Sequence, residues 1–182
     1  MGMKHSAITN DFLTPPRRIN LLLRMLIALA ERIAGRTLMP PRLLAWYPRA
    51  LISSGILESL ITRQDGAVTR RTLKLVRLQV SLAVSCPFCI AMNSDEADRY
   101  SITPEELRAL QRGRPDAATF SQSERFALQY TLTLSRTPIR RSVSLERSLR
   151  RYFSEREIVV LASTIAQVNY WARLLQGMGI TG

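Results

Sequence analysis

The sequence predicts an all-α protein of about seven to nine helices. Three observations carry that prediction. Thr103-Pro-Glu-Glu106, Ser121-Gln-Ser-Glu124 and Ser154-Glu-Arg-Glu157 each place a hydroxyl residue three positions before a glutamate. That is the capping box that opens a helix. No two-residue hairpin signal joins alternating apolar runs. Apolar residues instead recur at helical spacing between glycine and proline punctuation. The 182 residues, 46% of them apolar, suit one compact domain with an ample core. Residues 1–18 read as a polar N-terminal arm ending Thr14-Pro-Pro-Arg-Arg18, and residues 19–182 as a single helical domain.

Ile19 to Ala34 is the first expected helix, and Gly35 suits its end. Pro40 and Pro41 restart the chain, and a helical stretch from Arg42 to about Thr62 must break or kink at Pro48. Gln64-Asp65-Gly66 is a turn. From Thr69 to about Val84, the run of Leu73, Leu75, Val76, Leu78, Val80 and Leu82 leaves little polar face, so this helix should be central and buried. The next is expected from Cys86 to about Tyr100. Thr103 opens a short helix to Gln111, with Pro104 at its first position, and Gly113-Arg114-Pro115-Asp116 is a loop. Ser121 caps a helix to about Ser135, ended by Thr137-Pro138. Another runs from about Ser144 to Tyr152. Ser154 caps the last and longest, to about Gln176, and Gly177 and Gly179 stop it.

The net charge of +12 is carried almost wholly by arginine, since Lys4 and Lys74 are the only lysines. Such basicity can attract nucleic acid or anionic lipid. The arginines are spread along the chain, however, and no aromatic-basic RNA motif or zinc-finger spacing accompanies them. No nucleic-acid partner is expected. Ile19–Ala34 is too short and too charged to span a bilayer, and no clear cleavage site follows it. A basic amphipathic helix of this kind can lie on a membrane. Its commoner meaning is a face packed on the core or on another subunit. A cytoplasmic protein without a membrane partner is the expectation.

The chain has two cysteines, Cys86 and Cys89, in Val84-Ser-Cys-Pro-Phe-Cys89. A two-residue gap lets two sulfurs meet across the first turn of a helix and cycle between dithiol and disulfide. Pro87 fits that first turn. Cys86 would lie at the helix N-terminus, where the dipole favours a thiolate, the nucleophile of peroxide reduction and thiol exchange. Two other readings compete. Half of a zinc site would need two more ligands, and the single histidine, His5, sits in the arm. Two buried cysteines with no chemistry are the other alternative. Asp95, Glu96 and Asp98 read as a solvated face.

A Cys-Pro-Phe-Cys run also occurs in glutaredoxins, but there it follows the first strand of an α/β fold. Here 85 mostly helical residues precede it, with no Thr-Val-Pro loop after it. The chain instead resembles the carboxymuconolactone decarboxylase and alkylhydroperoxidase D-like family over roughly residues 36–180. Three stretches carry the likeness. One is Arg71-Thr-Leu-Lys-Leu-Val-Arg-Leu-Gln-Val80 followed by Cys86-Pro-Phe-Cys-Ile-Ala-Met-Asn93. Another is Phe120 to Tyr130, running to Arg136-Thr-Pro138. The third is Phe153 to Leu161, then Ile165-Ala-Gln-Val-Asn-Tyr-Trp-Ala-Arg173 and Gly177-Met-Gly-Ile180. The resemblance implies the helical bundle of that family and a homo-oligomer.

Family peroxidases combine the cysteine pair with a relay of one glutamate and two histidines. At those positions this chain has Lys74, Phe88 and Asn93. The relay therefore cannot operate as in the family. A decarboxylase reaction is disfavoured too, because it resembles histidine-dependent chemistry and needs no dithiol.

By resemblance, Cys89 would attack a peroxide and Cys86 would resolve the sulfenic acid as a disulfide. The two could exchange roles, and a separate thiol donor would re-reduce the pair. Lys74 would favour thiolate if it points into the site, as the family glutamate does, or it would snorkel to solvent. Asn93 would hold a peroxide oxygen or a water, or would satisfy local backbone. Phe88 reads as core. Asn169 and Arg173, at i and i+4, would close the site or an oligomer interface. The expected function is thus a thiol peroxidase-like oxidoreductase with no metal or organic cofactor. The alternatives are a non-enzymatic redox sensor or helical assembly protein, and a disulfide reductase or isomerase.

Overall fold

A computed structural model of the chain describes residues 12–61, 63–95 and 97–180. His5, Glu96 and residues 1–11 of the expected arm lie outside them. Among the described residues there are nine α-helices, one 3-10 helix and no strand; a lone bridge joins Asp65 to Val68 around Gly66. The helices are α1 Leu21–Ala34, α2 Met39–Leu44, α3 Pro48–Ile61, α4 Arg70–Ala83, α5 Pro87–Ser94, α6 Pro104–Gln111, α7 Gln122–Leu134, α8 Val143–Tyr152 and α9 Glu155–Gly177. The break expected at Pro48 falls between α2 and α3.

All three capping boxes form, each with both reciprocal hydrogen bonds. All three of their glutamates are used a second time, two of them by one arginine. Arg71 donates from Nε to Glu124 at 2.8 Å and from Nη2 to Glu106, and its Nη1 reaches the Ser101 carbonyl. One guanidinium thus ties the starts of α4, α6 and α7. Burial pushes the Glu124 carboxyl up, but the Ser121 N–H and hydroxyl and the Arg71 guanidinium outweigh it and hold it below the usual carboxylate range. Glu157 accepts from the Ser154 and Ala67 N–H groups, and these lower its carboxyl as well. A side chain at Gly66, whose φ is +50°, would run into that carboxylate.

α4 is the centre of the molecule, as its sparse polar face predicts, with Leu73 through Val76 and Leu78 through Ser81 buried. It packs against α9, α7 and α5. Different sides of a helix so enclosed feed separate cores. Leu73, Val76 and Val80 join Leu161, Ile165, Val168 and Leu175 of α9 in the larger cluster. Leu75 and Leu78 join Ala97, Ile102, Leu110, Phe120 and Leu128 in the smaller one. α9 is long and apolar enough to cross a membrane by length and composition, but it is a packed core helix here.

One expected helix is corrected. The stretch 86–100 is not continuous: α5 ends at Ser94, and a 3-10 helix occupies Ala97–Tyr100. The reason is tertiary. Ala97 and Ile102 are drawn into the smaller cluster, and Ser101 takes a left-handed turn with φ of +55° to bring them there.

Candidate active site: the Cys86–Cys89 pair

α4 stops at Ala83, and the chain reverses into α5 through Val84 and Ser85. Ser85 has φ of +51°, a conformation uncommon for a residue with a side chain. The Cys86 N–H closes this turn on the Ser81 carbonyl at 3.0 Å. Cys86 is then the N-cap of α5 and Pro87 its first residue, so proline fills a position whose N–H would have no helical partner. The Cys89 N–H donates to Cys86 Sγ at 3.4 Å. The two sulfurs are joined as a disulfide, with Cα atoms 5.3 Å apart. An amide aimed at the Cys86 sulfur, together with the positive end of α5, favours charge on that sulfur in the reduced state.

Both sulfurs are inside the protein. Cys86 is 0% exposed and Cys89 2%, in the same apolar cluster as Val84, Phe88, Leu175 and Met178. Phe88 is core, as its sequence position suggests. Asn93, also buried, donates from Nδ2 to the Cys89 carbonyl at 2.9 Å and to Ser81 Oγ at 3.1 Å. Its amide therefore stitches α5 to α4 one turn beyond the disulfide. Ser81 in turn donates to the Arg77 carbonyl. Lys74 is buried, with its ammonium 5.3 Å from the centroid of the Tyr100 ring.

α9 holds the turn from the other side. Gln176 Nε2 donates to the Val84 carbonyl at 2.9 Å and to that of Ser85 at 3.3 Å, and its Oε1 accepts from Arg173. Arg173 thus reaches the site through Gln176. Asn169 does not reach it: its amide bonds Ser135 at the end of α7. Gln176 carried no signal in the sequence beyond its helical spacing from Arg173. A second unforeseen network joins α3, α4 and α9, where Glu58 accepts from Arg77 at 3.0 Å, Gln167 at 2.8 Å and the Trp171 indole at 2.9 Å. Among the described residues no group of His, Cys, Asp or Glu is arranged to hold a metal ion.

The all-α bundle that holds this pair has the fold of the alkylhydroperoxidase AhpD core. Residues 55–132, from within α3 through most of α7, match the sequence model of the Carboxymuconolactone decarboxylase family. The uncharacterized protein YnjA of Escherichia coli is 26% identical over 168 residues, 92% of each chain. The uncharacterized protein YdfG of Bacillus subtilis is 26% identical over 117 residues, 64% of this chain and 79% of its own. In three dimensions the chain is similar to the alkylhydroperoxidase AhpD core of an uncharacterized peroxidase-related protein from Ralstonia eutropha. There the TM-score is 0.81 at 16% identity, with 96% of this chain and 93% of that one covered. It is also similar to the debrominase Bmp8 in complex with 2,3,4-tribromopyrrole, with a TM-score of 0.78, 19% identity and coverage of 96% and 92%. At those identities the likeness is one of fold.

Proposed function

We propose that the protein is a thiol-dependent peroxidase-like oxidoreductase that reduces hydrogen peroxide or organic hydroperoxides through Cys86 and Cys89. The observation that carries this reading is the pairing of the two sulfurs at the N-cap of α5 in a fold shared with a peroxidase-related protein. In the cycle the Cys89 thiolate attacks a peroxide oxygen. The O–O bond breaks, the alcohol or water leaves with a proton, and Cys89 becomes a sulfenic acid. The Cys86 thiolate attacks that sulfur, water departs, and the disulfide forms. A dithiol protein or small thiol then returns two electrons by attacking Cys89, with Cys86 leaving as the thiolate its N-cap seat favours. Lys74 supplies positive charge on the neighbouring helix, and Asn93 fixes the second turn of α5. Residues 19–182 act as one domain, 1–18 as an arm, in a homo-oligomer. The cytoplasm, where thiol reductants keep such a pair cycling, is the fitting compartment.

Burial of both sulfurs favours a second reading, a redox sensor or assembly protein whose dithiol is regulatory or inert. Stopped-flow tryptophan fluorescence and thiol counting after peroxide addition separate the two readings. The parent should lose two thiols quickly. Of the Cys86→Ser and Cys89→Ser variants, one should be inert and the other trapped as sulfenic acid. Loss no faster than for a free thiol selects the second reading.

A further inference from the structure

We infer that the protein self-associates through α1, which packs across the outer face of α3 in a second copy, reciprocally about a two-fold axis. This rests on the homo-oligomer part of the reading above and not on its thiol chemistry.

α1 is not explained by its own chain. It is 14 residues long and buries only Leu23 and Ile27. A helix of that length is marginal in water without a packed face. At 100° per residue, Leu21, Leu22, Met25, Leu26, Leu29 and Ile33 cover an arc of roughly 140° on a second side of α1, interrupted only by Arg32 near one edge. All six are exposed, from 44% to 80%. A monomer of this kind would carry a greasy ridge in solvent.

α3 has the matching surface. Its exposed positions are Pro48, Arg49, Ile52, Ser53, Gly55, Ile56, Ser59 and Leu60. Ile52, Ile56 and Leu60 form an i, i+4, i+8 ridge flanked by Ser53, Gly55 and Ser59, small residues that let another helix approach closely. Arg49 is the single charge among those exposed positions. Trp46 and Tyr47, 64% and 59% exposed, extend the patch at its head. α2 lies between the two surfaces in the chain and links them: Arg42 pairs with Glu31 of α1 at 2.7 Å, and α2 packs on α3. One corner of the molecule thus presents both a ridge of long side chains and a seat of small ones.

A second copy fits this better than the alternatives. The eleven large apolar side chains would each bury on the order of 100 Å², roughly 1,000 Å² per copy, above the ~800 Å² per partner of a stable specific interface. Ridge and seat on one chain are self-complementary, which is what a two-fold contact requires. A helix lying on anionic lipid pairs its apolar face with a solvated polar face rich in Lys and Arg. Here α1 carries only Arg24 and Arg32 as cations, Arg32 within the apolar arc, and the side opposite that arc holds Leu23 and Ile27 packed on the protein.

The test is sedimentation equilibrium of the full chain across a dilution series, with Leu29→Glu and Ile56→Arg variants. Both sites are exposed, so helical circular dichroism should match the parent. The parent should weigh a multiple of twice 20.6 kDa. Each substitution occurs twice in the two-fold contact and should weaken dimerisation at least ~100-fold. An equimolar mixture of the two variants should recover at least ~10-fold of that loss. One of its two contacts is then native, and the other pairs Glu with Arg. An oligomer indifferent to both substitutions overturns the surface while leaving the homo-oligomer standing. Sensitivity to Leu29→Glu alone, or no recovery on mixing, overturns the α1–α3 pairing. A monomeric parent overturns both. If that monomer co-sediments with phosphatidylserine vesicles through Leu29, the face belongs to a membrane.

Discussion

Replacing Gln176 with alanine should make the dithiol reactive without touching either cysteine. The Gln176 side chain donates to the Val84 and Ser85 carbonyls at 2.9 and 3.3 Å, and these bonds hold the left-handed turn that places Cys86 at the head of α5. A net hydrogen bond in water is worth about 0.5–1.5 kcal/mol. With one short and one long bond, the loss should be about 1–2 kcal/mol, borne mostly by the local opening of this turn. Since 1.4 kcal/mol is a factor of ten, the open population should rise roughly 5- to 30-fold. Both sulfurs are essentially inaccessible in the closed form, so a thiol reagent reports the open population. The assay is the rate of 5,5′-dithiobis(2-nitrobenzoate) labelling of reduced protein, at reagent levels where the rate scales with reagent. Gln176→Glu, which keeps the length but loses the donor, should behave like alanine. Labelling within twofold of the parent for both would refute the idea that Gln176 gates the pair.

Further outcomes follow from the polar nodes. Arg71→Met should cost about 2–4 kcal/mol at pH 7, between an exposed and a buried pair, because it strands two nearly buried carboxylates. Urea titrations should show that deficit shrinking as pH falls, since the Glu124 carboxyl, no longer held low by Arg71, takes up a proton at higher pH in the variant than in the parent. Glu157 has its folded value lowered, so its contribution is present above the ordinary carboxylate range and lost as pH falls through the lowered value. Glu157→Gln should therefore flatten the acid limb of the stability curve. Lys74→Met should move the pH profile of thiol labelling upward by up to ~1 unit, the effect of removing a cation that favours thiolate. An unmoved profile assigns Lys74 a packing role away from the thiols.

Helix beginnings were legible because they are local. Thr103, Ser121 and Ser154 declare themselves by a glutamate three residues on, and all three boxes form. The seat of Cys86 and Pro87 followed from the same short-range chemistry. What the sequence hid is what long-range packing decides. The break after Ser94 depends on Ala97 and Ile102 finding a cluster built from α4, α6 and α7. Glu58 meets Gln167 and Trp171 from more than a hundred residues away, and Arg71 gathers partners from two other helices. Gln176 had no pattern that could pair it with Ser85. Burial of the dithiol, which bears most on function, is likewise a property of the assembled core.

The hold of Gln176 on Val84 also sets an order of events during synthesis. The two ends of that contact are 92 residues apart in the chain. While ribosomes extend the polypeptide toward α9, the cysteine turn has been made but lacks the cover of that helix. Through that interval its thiols are as open to the cell as those of any nascent peptide. Their shelter begins when the last helix arrives, so a truncated product would differ from the finished protein first in the chemistry of its cysteines.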